Sequence, residues 1–220
     1  AVYIDPLTIR PSRVQPSFDL EEQWPHVVFT PYLRALAERL TDGLSSPVEK
    51  ARSLYDYVTG YVDYRYQPAY LQLDDIADTC ARELRGDCGV FALLFITLCR
   101  ISGVPARWQS GLYAAPGDVG SHDWAQFYTD EFGWLFADPS YGGGAYRRGD
   151  ERRWNFYFGN LDPFRMIANR RYQTEFDMPK AFERFDPYDN QDGEIETETR
   201  GLDNTDYDTV NTTLVYQKLK

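Results

Sequence analysis

The chain has 220 residues, 43% of them apolar and 16% aromatic, which is enough to build a substantial core in one domain rather than a disordered segment. Its net charge of −11 works against nucleic-acid binding, which needs a basic surface to neutralise phosphates, and against docking on anionic lipid. No apolar run reaches the roughly 18 residues that a membrane-spanning helix requires.

Residues 1–29 carry four prolines and little periodicity, and read as an extended lead-in. A first helix is expected at "TPYLRALAERL", with Thr30 as N-cap, Pro31 in the first helical position and Gly43 as the stop. A second follows at "SPVEKARSLYDYV", where Ser46 and Glu49 have capping-box spacing and Pro47 opens the first turn. "YVDYRYQPAY" reads as extended or irregular, because Pro68 biases Gln67 out of helix. A short helix is expected over 75–84. From Gly86 a strongly apolar helix runs to about Ser102, ended by Gly103 and Pro105.

The period then changes. "ARWQSGLYA", "HDWAQFYTD" and "GWLFAD" read as strands, with "TDEFG" as the turn between the last two. "YGGGAYRRGD" reads as a loop, too rich in glycine for an element interior. Two further strands are expected in the tail, at "IETETR" and "TTLVYQKL". The stretch from Asp186 to Asp208 holds nine acids and one base, Arg200. The arginines between Arg147 and Arg171 read as ion pairs with neighbouring acids; the other reading is a patch for an acidic substrate. The whole is expected to be one α+β domain over 1–220, with a lead-in (1–29), a catalytic core (30–175) and an acidic C-terminal extension with added strands (176–220).

Three cysteines, Cys80, Cys88 and Cys99, do not make a disulfide framework, and two histidines, His26 and His122, leave a structural zinc site short of ligands. No cofactor is expected. Cys88 stands out because it opens the apolar helix. Unpaired N–H groups and the positive dipole end at a helix start stabilise a thiolate and can bind an oxyanion. Gly86 and Gly89 flank the cysteine, leaving room for a substrate backbone. Asp87 is adjacent and works against the thiolate unless it points away or caps the helix. Cys99 and Cys80 read as core.

A thiolate nucleophile needs a base, and the base needs an orienting group. His122 opens a candidate strand and Asp138 ends the next one. If 122–128 and 134–138 form a hairpin in which facing residue numbers sum to about 260, the imidazole and carboxylate lie side by side. Taken singly, each residue has an ordinary structural reading: a small core cysteine, a surface or core histidine, a turn aspartate before proline. The joint arrangement carries the chemistry.

"RGDCGVFALLFITLCRISGVPARWQSG" followed by "HDWAQFYTDEFGWLFADPS" resembles the transglutaminase-like superfamily of papain-type cysteine enzymes. The family pattern is a Gly-x-Cys at a helix start, an apolar helix ending in Arg-x-x-Gly-Ile-Pro-Ala-Arg (Val104 stands at the Ile position here), a His followed by Trp, and Gly-Trp before Asp-Pro. The match is close from Arg85 to Ser140, looser over Thr30–Val62, and absent from the final 45 residues. Asp-Pro-Ser stands where Asp-Pro-Thr is common. The resemblance implies a papain-like α+β fold whose central helix carries the nucleophile and packs on an antiparallel sheet, closer to prokaryotic-type stand-alone domains than to large crosslinking enzymes.

It further implies Cys88 as nucleophile, His122 as base and acid, and Asp138 as orienting carboxylate, with no calcium loop. Tyr64, Tyr66 and Gln67 are candidates for the second oxyanion donor upstream of the cysteine, and the motif does not choose among them. Gly89, Trp108 and Trp124 are further candidates to line the substrate cleft, the tryptophans having core packing as their other reading. The expected activity is cysteine-dependent acyl transfer on amide bonds of a protein or peptide substrate: peptidase, deamidase or transglutaminase. The rivals are a non-catalytic protein- or glycan-binding module on the same fold, and a zinc site built from Cys88, His122 and Asp138, against which the family pattern argues. Four lysines, an acidic balance and a start at Ala1 point to a trimmed extracytoplasmic or secreted domain.

Overall fold

A computed structural model describes residues 3–8, 15–185, 187–191, 193–208 and 210. Its elements, in chain order, are α1 (Pro31–Thr41), α2 (Pro47–Tyr61), β1 (Asp63–Tyr64), α3 (Ile76–Glu83), β2 (Arg85–Gly86), α4 (Cys88–Ile101), β3 (Ala106–Ala115), β4 (Asp118–Thr129), β5 (Gly133–Ala137), α5 (Pro139–Arg147), α6 (Glu151–Phe156), β6 (Phe158–Gly159) and β7 (Arg165–Asn169). The fold is α+β: α4 is the central helix, and it lies against an antiparallel sheet ordered β6-β5-β4-β3-β7. No helix among the described residues is long and apolar enough to cross a membrane.

The helix starts follow local chemistry. Thr30 accepts a hydrogen bond from the Leu33 N–H at 3.2 Å, with proline next in line. Ser46 occupies the N-cap of α2, but its side chain makes no capping bond, so the expected capping box is not formed. Asp87 caps α4 through Val90 N–H at 3.1 Å. From Gly89 to Arg100 every residue of α4 is buried. Each fully buried Leu or Phe there contributes about 2 kcal/mol of transfer free energy. Arg100 keeps its charge at the helix end by donating to the carbonyls of Ala106 (2.9 Å) and Glu21 (2.7 Å).

Two further expectations fail. "YGGGAYRRGD" is not a loop; Tyr141 to Arg147 belong to α5. Asp138 caps that helix and Pro139 opens it, while Gly142 lets it settle onto α2. A Cβ at Gly142 would lie 1.8 Å from the Tyr55 hydroxyl. Close helix contact, rather than loop freedom, explains that glycine. "IETETR" forms a single bridge, Glu196 to Gly201, and no strand. The Glu196 carboxylate takes the N–H groups of Ala181 and Phe182 instead of leaving its backbone to a ladder. The second tail strand, "TTLVYQKL", lies outside the described residues.

The β4–β5 pairing joins Ala125 to Ala137 and Thr129 to Gly133, so facing numbers sum to 262 and not 260. An even slip keeps each side chain on its face. His122 and Asp138 are therefore diagonal rather than directly opposed, still within reach.

Candidate active site

Asp138 sits just past β5, where it is also the N-cap of α5. Its Oδ1 accepts from the Tyr141 N–H (3.0 Å) and the Ser140 hydroxyl (3.2 Å). Its Oδ2 lies 2.8 Å from His122 Nε2 and accepts from Arg165 Nη2 at 2.9 Å. The carboxylate is wholly buried, and burial alone would raise its pKa. The His122 and Arg165 charges and the Tyr141 N–H outweigh that and hold it at about 2. Asp138 is thus a fixed anion with its acceptor capacity used, and His122 is locked by one ring nitrogen. Tyr141 meets the imidazole edge to face at 4.7 Å between centroids, and Trp124 stacks along it at 5.9 Å.

Arg165 carried no signal in the sequence beyond the arginine cluster. Its guanidinium is buried, bonds both Asp138 and Asp162, and lies 4.4 Å from the Tyr141 ring. Elsewhere in that cluster, Arg147 donates to the Val62 carbonyl and pairs with Asp63, while Arg153 reaches the Tyr157 hydroxyl. The ion-pair reading holds for Arg147 and Arg165, whereas Arg153 bonds a tyrosine hydroxyl instead.

Cys88 is the first residue of α4, as the sequence indicates, but its thiol does not meet His122. Its sulfur donates to Asp123 Oδ2 at 3.5 Å, and no hydrogen bond joins Cys88 to His122 among the described residues. Strand periodicity explains this. Phe127 of β4 packs on Phe95 of α4, so the odd-numbered side chains of β4 face the helix. Asp123 belongs to that set and His122 to the other. Burial pushes the Cys88 thiol pKa well up, and the Asp123 and Asp87 carboxylates push it further, against the Asp123 backbone N–H. The helix start does not, in this arrangement, leave a free thiolate.

The thiol opens into a cavity of about 340 Å³ lined by Tyr64, Tyr66, Gln67, Tyr70, Asp87, Ser121 and Asp123, and by Phe185, Asp189, Gln191 and Asn204 from the C-terminal segment. His122 lines an adjoining cavity of about 230 Å³ with Ser140, Tyr141 and Arg153; Tyr64 lines both. All three upstream oxyanion candidates therefore reach the thiol's cavity. Tyr64 is distinguished by its electrostatic contact with Cys88: burial first, then the Cys88, Asp87 and Asp123 charges, push its phenol to about 12.

The other candidates lie elsewhere. Trp108 and Trp124 are fully buried and line neither cavity; Trp124 donates to Gln109 Oε1 at 2.7 Å. The space at Gly89 is taken by the protein itself, since a Cβ there would lie 2.0 Å from the Tyr70 hydroxyl and 2.8 Å from the Trp108 ring. At Gly86 it would meet Val90. These glycines serve internal packing, and Tyr70 uses the gap to donate to Asp87 at 2.7 Å. Cys80 and Cys99 are buried and unpaired, as read.

The central helix, antiparallel sheet and Gly-Asp-Cys turn define a papain-like cysteine-enzyme fold. Residues 34–139, just under half of the chain, match the model of the transglutaminase-like superfamily. Over 129 residues the chain is 27% identical to the uncharacterized protein YebA of Bacillus subtilis (strain 168), covering 50% of this chain and 17% of that one. Among solved structures, a candidate cysteine protease from Cytophaga hutchinsonii is similar at 24% identity, TM-score 0.47, over 55% of this chain and 40% of that one. The periplasmic domain of TgpA from Pseudomonas aeruginosa is similar at 23% identity, TM-score 0.47, over 61% and 49% of the two chains. The chain thus spans less than half the length of each of these relatives.

Proposed function

We propose that the protein is a cysteine-dependent acyl-transfer enzyme acting on amide bonds of proteins or peptides. The observation that carries this reading is the buried His122–Asp138 pair at 2.8 Å, with Asp138 held ionised and His122 lining a cavity that shares Tyr64 with the one Cys88 opens into. A carboxylate so fixed orients an imidazole and stabilises the imidazolium formed in catalysis. Catalysis then requires the Cys88 sulfur to leave Asp123 and meet the His122 ring, a rearrangement of the resting contacts.

The thiolate adds to the amide carbonyl, forming the C–S bond and a tetrahedral oxyanion, whose collapse breaks the C–N bond and leaves the thioester. His122 carries the thiol proton to the leaving amine. In this reading, backbone N–H groups at the start of α4 and the Tyr64 hydroxyl, which lines the cavity of Cys88, receive the oxyanion. Water or a second amine resolves the thioester, giving hydrolysis, deamidation or transamidation. Product analysis on a glutamine-rich protein, with and without an added primary amine, tests the reading. Mass change or amine incorporation that disappears in Cys88→Ala supports it; wild type and Cys88→Ala behaving alike across amide substrates would remove it and leave a binding module.

A further inference from the structure

The C-terminal segment carries no family motif, yet it reaches the thiol's cavity. It is anchored at several points. Tyr188 is buried, stacks on Tyr172 at 5.5 Å between centroids and meets the buried His26 at 4.9 Å. Its carbonyl accepts from the Gln173 N–H at 2.9 Å. The Ser110 hydroxyl, inside β3, donates to the Asp189 carbonyl. Gln191 Nε2 donates to Asp123 Oδ1, the oxygen not used by Cys88. One carboxylate therefore bridges the segment and the sulfur.

We propose that residues 187–191 are a built-in latch over the Cys88 cleft, with Gln191 pinning Asp123 as a positioning residue that masks the thiol until the segment moves. This rests on Cys88 being the nucleophile. A carboxylate hydrogen-bonded to a thiol favours S–H over S⁻ and takes the place at sulfur that the base must occupy. Once Gln191 withdraws, Asp123 loses its outer tether, and the sulfur is free to turn toward His122. The groups facing Cys88 are Asp87 from the α4 cap, Asp123 from β4, Tyr64 from β1, Tyr70 from the turn before α3, and Asp189 from the latch itself. Apart from backbone N–H groups, that of Asp123 among them, none supplies positive charge, so the carboxylate nearest the sulfur outweighs them.

The test is the pH profile of iodoacetamide alkylation at Cys88 in the full chain, read by peptide mapping, with buried Cys80 and Cys99 as internal controls. Gln191→Ala, Ser110→Ala and Asp123→Asn are compared with wild type, each checked for an unchanged thermal midpoint. All three are expected to move the profile to lower pH and raise the neutral-pH rate about tenfold, the value of one unit in thiol pKa. Ser110 faces Asp123 across the β3–β4 pairing, so the latch is read from agreement between Ser110→Ala, which removes the anchor on Asp189, and Gln191→Ala, which removes the contact to Asp123. Acceleration by Asp123→Asn with the other two within about twofold of wild type would overturn the latch. No acceleration in any variant would overturn the role of Asp123 too. The amine-incorporation assay keeps the functional reading separate: wild-type turnover with unchanged alkylation in the variants sinks only the latch. Faster alkylation without turnover of any amide sinks only the acyl-transfer reading.

Discussion

Replacing Asp138 by Asn tests the electrostatic centre of the site while sparing its shape. The amide oxygen can still cap α5 through the Tyr141 N–H, but the charge facing His122 and Arg165 is gone. The wild-type carboxylate titrates at about 2, against an ordinary aspartate value near 4, which corresponds to about 2.5 kcal/mol of stabilisation at neutral pH. No solvent discount applies, because Asp138 is fully buried. Removing one member of a buried pair costs about 3–5 kcal/mol. The lower end applies here, since Arg165 keeps Asp162 at 3.1 Å.

Equilibrium denaturation of Asp138→Asn at pH 7 should therefore show a loss of about 3 kcal/mol, or roughly 6–12 °C in thermal midpoint for a chain of this size. The pH dependence carries its own sign. A carboxyl whose pKa is lowered by folding stabilises fully above its unfolded value and loses that contribution as pH falls through the folded one. The gap between wild type and variant should thus be widest above about pH 4 and shrink toward about pH 2. A gap below about 1 kcal/mol at neutral pH, or one that stays constant through that window, would refute the reasoning.

Arg165→Lys should make the wild-type fold more acid-sensitive, because a single ammonium cannot hold both Asp138 and Asp162 as the guanidinium fork does; an acid titration followed by near-UV circular dichroism reads the shift. Tyr64→Phe should leave stability within about 0.5 kcal/mol, since Tyr64 is 58% exposed, yet lower kcat on an amide substrate about 10²-fold if its hydroxyl receives the oxyanion. Equal loss in Tyr66→Phe and none in Tyr64→Phe would move the assignment. Gly142→Ala sets two effects against each other: about 1 kcal/mol gained in helix propensity, and about 1–3 kcal/mol lost by overpacking against a Tyr55 hydroxyl anchored to the Trp154 carbonyl at 2.9 Å. Net destabilisation is expected in urea melts, with partial recovery in the double variant carrying Tyr55→Phe.

Much of the frame was readable from the chain because it rests on neighbours in sequence. Thr30 with Pro31, Asp87 at the head of an apolar run, and the alternation through 106–114 and 122–128 each specify their element within a turn or a strand. The same locality misled at 141–147, where three glycines read as a loop. For Gly142 the reason is Tyr55, more than eighty residues earlier, whose hydroxyl occupies the space a side chain would need. The partnership of His122 and Asp138 was visible because a hairpin relates them by simple counting, and an even slip in register left it intact.

What the sequence by itself determined is the core fold and where its chemical residues lie along α4, β4 and the start of α5, since caps, periodicity and hairpin spacing act over short range. Which of those residues touch was decided by tertiary structure. Packing α4 on one face of β4 brings Asp123, and not His122, to the Cys88 sulfur. Folding back the C-terminal segment brings Gln191 to Asp123 across 68 positions. Arg165, on a strand separated from β5 by β4 and β3, reaches Asp138 through its long side chain. Such contacts depend on how faces are paired across the whole chain, and no local pattern encodes that pairing.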